Sequence, residues 1–232
     1  MLRLDKFLCD RKIGSRSQVK EWIRQGMVTV DGQVVCRPET KIEEEKAQIR
    51  FQGERLNYRK YIYVMLHKPA GVVSATKDSS CQTVTGLLKE AEYKDLFPVG
   101  RLDKDTEGLL LMTNDGELAH GLLSPKKQVE KVYYCELEQP LSQEAINQLE
   151  EGIDIGEEKK TLPAKVERLR ERCIHLTITE GKFHQVKRML LAVGNQVVYL
   201  KRVRMGGLHL DPELLPGDYR ELTLEEVEQL KG

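Results

Sequence analysis

Leu4, Phe7 and Leu8 fall three and four positions apart, the spacing that places apolar side chains on one face of a helix, and Gly14 interrupts the run. Ser15, followed three residues on by Gln18, has the form of a capping box opening a second helix. In that helix Val19, Trp22 and Ile23 make the apolar face, while Arg16, Lys20 and Arg24 form a basic stripe roughly opposite. The period then changes. "MVTVDGQVV" alternates valines across Asp31-Gly32 and predicts a two-residue hairpin. "FQGERLNYRK", residues 51–60, is short and polar and is the expected linker. "YIYVMLHKPAGVVSA" predicts a buried strand ended by Lys68-Pro69 and Gly71. "GRLDKDTEGLLLMTNDGELAH" sets an apolar run, Leu109 to Met112, between a polar elbow and the turn Asn114-Asp115-Gly116, after which a helix begins. "KVYYCELEQPL", "CIHLTIT" and "GNQVVYLKRVRMGGLHL" read as strands, "SQEAINQLEEGI" and "FHQVKRMLLAVG" as helices, the latter ended by Gly194. The intermingling predicts an α+β fold with a large sheet over 61–232, preceded by a small unit over 1–50.

Composition narrows the function classes. The chain has 232 residues, 40% of them hydrophobic and 32% charged, which is the make-up of a soluble globular protein of one or two domains. Its longest apolar run is far short of the roughly 20 residues a membrane span needs, and its start carries charges every few positions, unlike a secretory signal. Cys9, Cys36, Cys81, Cys135 and Cys173 are odd in number and never in CxxC spacing. This argues against a disulfide framework and a zinc site and suits a reducing cytoplasm. The five histidines are dispersed without an HExxH motif, so no metal cofactor is expected.

The net charge is zero, but its distribution is uneven. In the first 24 residues Arg3, Lys6, Arg11, Lys12, Arg16, Lys20 and Arg24 face only Asp5, Asp10 and Glu21. From Gly181 to Leu210 there is no acid, while Lys182, Lys187, Arg188, Lys201, Arg202 and Arg204 accumulate. Such surpluses are the footprint of phosphate binding, or merely a solvated face. In the polar elbow an extended backbone puts Arg101 and Asp103 on the same side, where the guanidinium would keep the carboxylate ionised. That pair is either a structural ion pair at a strand start or a carboxylate displayed at the mouth of a sheet, with Asp105 to Gly108 turning the chain inward.

"RLDKFLCDRKIGSRSQVKEWIRQGMVTVDGQVV" resembles the S-four-type (αL) RNA-binding module, over about residues 1 to 48. The resemblance implies that the second helix lies along a phosphate backbone, with Arg3, Lys6, Arg11, Lys12, Arg16, Lys20 and Arg24 displacing counterions. "GRLDKDTEGLLLMTNDG" resembles pseudouridine synthases, specifically the branch acting on small-subunit ribosomal RNA and its large-subunit relatives. The likeness continues in order through "LHKPAGVVSATKD", "QTVTGLL", "SPKKQVEKVYYCEL", "ITEGKFHQVKRMLLAVGNQVVYLKRVRMGGLHL" and "LPGDYRELT". It implies a catalytic domain with a mixed, mainly antiparallel sheet flanked by helices, ribosomal RNA as partner, and no cofactor; a monomer is the default.

Carried over residue by residue, the resemblance makes Asp103 the catalytic aspartate. The C1′–N1 bond of a uridine breaks, the uracil turns while bound, and it rejoins through C5. Asp103 either attacks C1′ or accepts a proton at C2′, and the sequence does not choose. Tyr133, in Lys-x-Tyr spacing with Lys131, is implied as the ring that stacks on the base; Tyr134 is the competing candidate, and period two lets only one of them face the pocket. Lys187 matches the cation paired with the aspartate, where many relatives carry Arg, and Arg101 supports the site. Leu208 packs against the base, with Leu210 equally arguable. Lys131, Lys182, His184, Gln185, Arg188, Lys201 and Arg202 are the expected contacts to flanking RNA. His67 departs from the Asn common before Lys-Pro and reads as a tolerated turn residue. The implied target is uridine 516 of 16S rRNA. The alternatives are a large-subunit target, or an inactive RNA-binding assembly factor, which would have lost Asp103 or Tyr133. A glycosidase would need a second carboxylate, Asp105 or Glu107, beside Asp103.

Overall fold

The computed structural model describes residues 1–11, 13–43, 46–56, 60–90, 93 and 95–231. Lys12, an expected RNA contact, lies outside them. The chain divides into two compact units, Met1–Lys60 and Tyr61–Gly232.

In the first unit the helices Leu4–Asp10 and Arg16–Arg24 pack together over small antiparallel strands. The capping box forms as the spacing requires: the Ser15 hydroxyl accepts from the Gln18 N–H, and the Gln18 amide oxygen accepts from the Ser15 N–H at 3.0 Å. Val19 and Ile23 are shut off from solvent with Leu4, Phe7, Leu8 and Val28, each large side chain contributing roughly 1.5–3 kcal/mol. Asp31 and Gly32 take φ of 50° and 83°, turning Val28–Val30 onto Gln33–Val34. The stretch expected to be a linker is different. Ile49–Phe51 and Glu54–Leu56 pair antiparallel across Gln52-Gly53, and Ile49–Phe51 also pairs with Val28–Val30. Of the expected linker, residues 57–59 lie outside the described residues; over 51–56 its polarity misled because the turn and outer positions are polar, while Phe51 packs on Trp22 at 5.1 Å between ring centroids.

The second unit is built on a nine-stranded sheet. Its path runs Lys165–Arg170, Cys173–Ile178, Lys131–Leu137, Val197–Met205, Glu107–Thr113, Tyr63–Lys68, Tyr219–Glu221. Phe97–Pro98 pairs beside Glu107–Thr113, and Leu208–His209 beside Val197–Met205. Every pairing between these strands is antiparallel except that of Glu107–Thr113 with Val197–Met205. Helices cover both faces: Gln143–Glu151 and Gln185–Ala192 pack into one core, Gly116–Leu123 and Leu224–Lys231 into the other.

This sandwich explains the unbroken apolar run. Leu110 and Met112 face the first core, Leu109 and Leu111 the second, and all four are fully buried. The strand enters through Gly108, at φ 106°, where a Cβ would collide with the Arg202 carbonyl oxygen across the parallel pairing. Only glycine lets the two backbones approach there. His67 is not a turn residue: it lies within the Tyr63–Lys68 strand, buried, with Nδ1 2.7 Å from the Leu214 carbonyl oxygen. Among the described residues no helix is long and apolar enough to cross a membrane.

Candidate active site

The segment from Val99 to Thr106 links the strands Phe97–Pro98 and Glu107–Thr113 and carries Asp103. Its mount is built from inside. Leu102 is buried, and the Ser74 hydroxyl clasps its backbone on both sides, donating to its carbonyl at 2.9 Å and accepting from its N–H at 3.0 Å. The Thr106 N–H donates to the Asp103 carbonyl at 3.1 Å and closes the turn. Beneath it the fully buried Lys68 ammonium donates to the carbonyls of Pro69, Lys104 and Thr106 at 2.9, 3.2 and 2.8 Å. Burial pushes that lysine down to about 8, against the pull of Asp105, Asp103 and Glu107. Nothing in the local pattern around Lys68 signals this role; it needs the loop folded over it.

Asp103 lines a cavity of about 890 Å³. The Tyr133 ring lines it too, whereas Tyr134 lies on the opposite face with its hydroxyl 2.9 Å from Glu136. Period two along Lys131–Leu137 thus separates them. Apolar walls come from Ile178, Val186 and Leu200. The other carboxylate lining the cavity, Glu180, accepts from the Gln185 side-chain amide at 2.9 Å and the Leu162 N–H at 2.8 Å.

The cations around Asp103 differ from expectation. Its ion-pair partners are His184, with Nε2 at 3.5 Å, and Lys187, with Nζ at 3.8 Å. Lys187 is held more tightly by Asp105, at 2.5 and 2.7 Å, and that contact keeps the Asp105 carboxyl below the usual range. Lys187 therefore bridges two carboxylates contributed by one elbow. Arg101 makes no ion pair with Asp103; it stands exposed on the cavity lining.

Leu208 does not line the cavity. It is 1% exposed and packs with Met205 and Leu230 in the core on the far face of the sheet. The hairpin Val197–Met205 to Leu208–His209 sends it there, and Leu200, which pairs with Cys135 two residues along the strand from Tyr133, takes the apolar position instead.

Several expected RNA contacts are engaged elsewhere. Lys182 and Arg188 both pair with Glu157, at 3.5 and 2.7 Å, and Arg188 also donates to the Ile155 carbonyl. Gln185 is buried, its amide oxygen accepting from the Lys182 N–H at 2.8 Å. Lys131 and Arg202 line the cavity but are buried, donating to the carbonyls of Val129 and Leu109. Lys201 pairs with Tyr134 across the strands, on the face away from the cavity. Within the acid-free run of sequence, Lys187, Lys182, Arg188 and Arg204 pair with Asp105, Glu157 and Glu130, all distant along the chain. In the first unit Asp5 holds the Arg3 fork at 3.0 and 2.8 Å. Lys6, Arg16 and Arg24 are exposed, with Arg11 and Lys20 half-buried.

Among the described residues, no three His, Cys, Asp or Glu side chains are grouped to hold a metal ion. What the arrangement offers is one half-exposed carboxylate with an ammonium and an imidazole beside it, and a tyrosine and apolar side chains lining the same cavity.

Residues 62–192 match the RNA pseudouridylate synthase family, and residues 2–47 match the S4 domain. The chain is 50% identical over 234 residues to the RNA pseudouridine synthase YtzG of Bacillus subtilis strain 168, covering 99% of this chain and 98% of that one. It is 44% and 42% identical to the ribosomal small subunit pseudouridine synthases A of Vibrio cholerae and Escherichia coli K12, in each case over 97% of this chain and 98% of the relative. A crystal structure of a pseudouridylate synthase, 40% identical, superposes with a TM-score of 0.71 over 99% of this chain and 100% of its own.

Proposed function

Because the chain belongs to the RNA pseudouridylate synthase family and carries an S4 domain, we propose that it converts uridine 516 of 16S ribosomal RNA to pseudouridine, with Asp103 as the catalytic carboxylate. The reading rests on one observation: Asp103 and Tyr133 open onto the same cavity, and its other carboxylate is bound up by Gln185 and Leu162. A lone acid beside a stacking ring suits an extruded uridine. It does not suit the paired carboxylates of glycoside hydrolysis.

The uridine enters base first, with its ribose at Asp103. The C1′–N1 bond breaks as the carboxylate either attacks C1′ or takes the C2′ proton. Tyr133, Leu200 and Ile178 hold the freed uracil as it turns; C1′ bonds to C5 as the bond from Asp103 to C1′ breaks or the C2′ proton returns, and the C5 proton leaves as N1 gains one. Lys187 and His184 approach the Asp103 carboxylate at 3.8 and 3.5 Å. Arg101 and Lys104, exposed at the elbow, meet phosphates. The basic face of Arg16–Arg24 supplies further backbone contacts. Small-subunit names among the similar proteins support the 16S target. We place the enzyme in the cytoplasm, where its unpaired cysteines stay reduced. We take a single chain as the active unit.

The test uses purified protein and 16S transcript, with pseudouridine mapped by sequencing. Wild type should modify position 516, and Asp103→Asn should give no product while binding the transcript with nearly unchanged affinity. Product at a large-subunit site instead would redirect the target. Appreciable turnover by Asp103→Asn would remove Asp103 from the chemistry.

A further inference from the structure

Phe183 stands apart from the other three phenylalanines. Phe7 is buried, Phe51 and Phe97 are half-buried, and Phe183 is 73% exposed. Single exposed apolar residues are common and need no explanation by themselves. This one is placed by its neighbours. It lines the same cavity as Asp103 and Tyr133, and its ring lies flat on the His184 imidazole, 3.8 Å between centroids and 19° between planes. The imidazole in turn reaches 3.5 Å from Asp103. A continuous file therefore runs outward from the carboxylate through His184 to Phe183 at the solvent edge.

The backbone supports this arrangement. His184 sits at φ 49°, ψ 34°, left-handed for a residue that has a Cβ, at the start of the Gln185–Ala192 helix, and it makes no side-chain cap. Such a conformation persists only where the surroundings hold it, and it clusters at working sites. Here Gln185 and Glu180 fasten the turn from inside through the Lys182 N–H and the Gln185 amide. The outcome is a flat aromatic face presented to solvent beside a cavity shaped for an extruded base.

We infer that Phe183 is the platform on which a nucleotide adjacent to the target uridine stacks. An extruded base leaves its neighbours unstacked, and an open aromatic face beside the cavity recovers that stacking irrespective of which base is there. The inference rests on the Asp103 cavity being the uridine site. Phe183 would set affinity for flipped, single-stranded RNA and take no part in the bond-making steps.

The test is a double cycle on the full chain with a short 16S fragment spanning uridine 516. Phe183, Phe183→Ala, Phe183→Leu and Phe183→Trp are each measured by fluorescence anisotropy against the intact fragment and against fragments abasic immediately 5′ or 3′ of the target. Stacking of this kind is worth about tenfold to a hundredfold in Kd. Phe183→Ala and Phe183→Leu should both lose that factor on intact RNA, Phe183→Trp should keep it, and the loss should vanish on one abasic fragment. Single-turnover conversion at saturating protein should stay near wild type. Equal losses on all three fragments, or no loss on any, would overturn the inference. Wild-type conversion is measured alongside: pseudouridine formed without stacking coupling rejects Phe183 alone, whereas no pseudouridine at the target rejects the assignment of the site as well.

Discussion

Replacing Lys68 with Met separates what a buried charge does for stability from what it does for geometry. The ammonium donates to three carbonyls, of Pro69, Lys104 and Thr106. The Lys104 carbonyl keeps a second donor, the Gly71 N–H at 2.7 Å, so the variant takes the lysine's donor from two others, at a cost of about 1–3 kcal/mol each. Against this stands relief of desolvation. The fall from 10.5 to about 8 corresponds to about 3.4 kcal/mol of destabilisation at neutral pH. The two effects largely cancel, leaving a net change within about 3 kcal/mol of zero, and the variant should fold. Its elbow, however, loses the donor that fixes the turn carrying Asp103, and a misplacement of about 1 Å in a reacting group costs about a hundredfold. Release of tritium from RNA labelled at uridine C5 should show kcat down by about that factor with little change in KM. Thermal melts supply the second arm. Between pH about 8 and 10.5 the unfolded lysine holds a proton that the folded one has given up. Wild type should therefore gain stability over Lys68→Met as pH rises through that window, and lose the gain as pH falls back toward 8. A kcat within twofold of wild type, or a stability difference flat across that window, would refute the reasoning.

Gly108→Ala drives a Cβ into the Arg202 carbonyl at φ 106° and should lower stability by about 2–4 kcal/mol; an unchanged urea midpoint would show that the two strands can part without loss. Reversing Arg16, Lys20 and Arg24 to Glu should weaken RNA binding and flatten its dependence on salt, the slope of log affinity against log salt falling by about two or more for three lost phosphate contacts. An unaltered slope from a salt titration would remove that helix from the interface.

Local order was legible along the chain. Capping by Ser15 and Gln18, the Asp31-Gly32 hairpin and the two-sided burial of Leu109 to Met112 follow from spacing, because neighbours a few residues apart decide them. So does the separation of Tyr133 from Tyr134. The partners of charges were not legible. Arg188 reads as a phosphate contact until Glu157 folds against it, and Arg101 reads as the partner of Asp103 until His184 and Lys187 arrive from the far side of the unit. Leu208 matched by motif, but its hairpin turns it into the opposite core. The strand pairing across residues 51–56 was hidden by its polar outer face.

The sequence by itself determined many of the elements, their inward faces and the acid at the elbow, since period and turn chemistry are properties of short segments. Tertiary structure alone decided which cations reach that acid, that Lys68 lies beneath its turn, and that Leu200 rather than Leu208 walls the cavity. Electrostatic and packing contacts depend on distance in space, and residues 82 apart along the chain, such as Asp105 and Lys187, meet only after the sheet is complete.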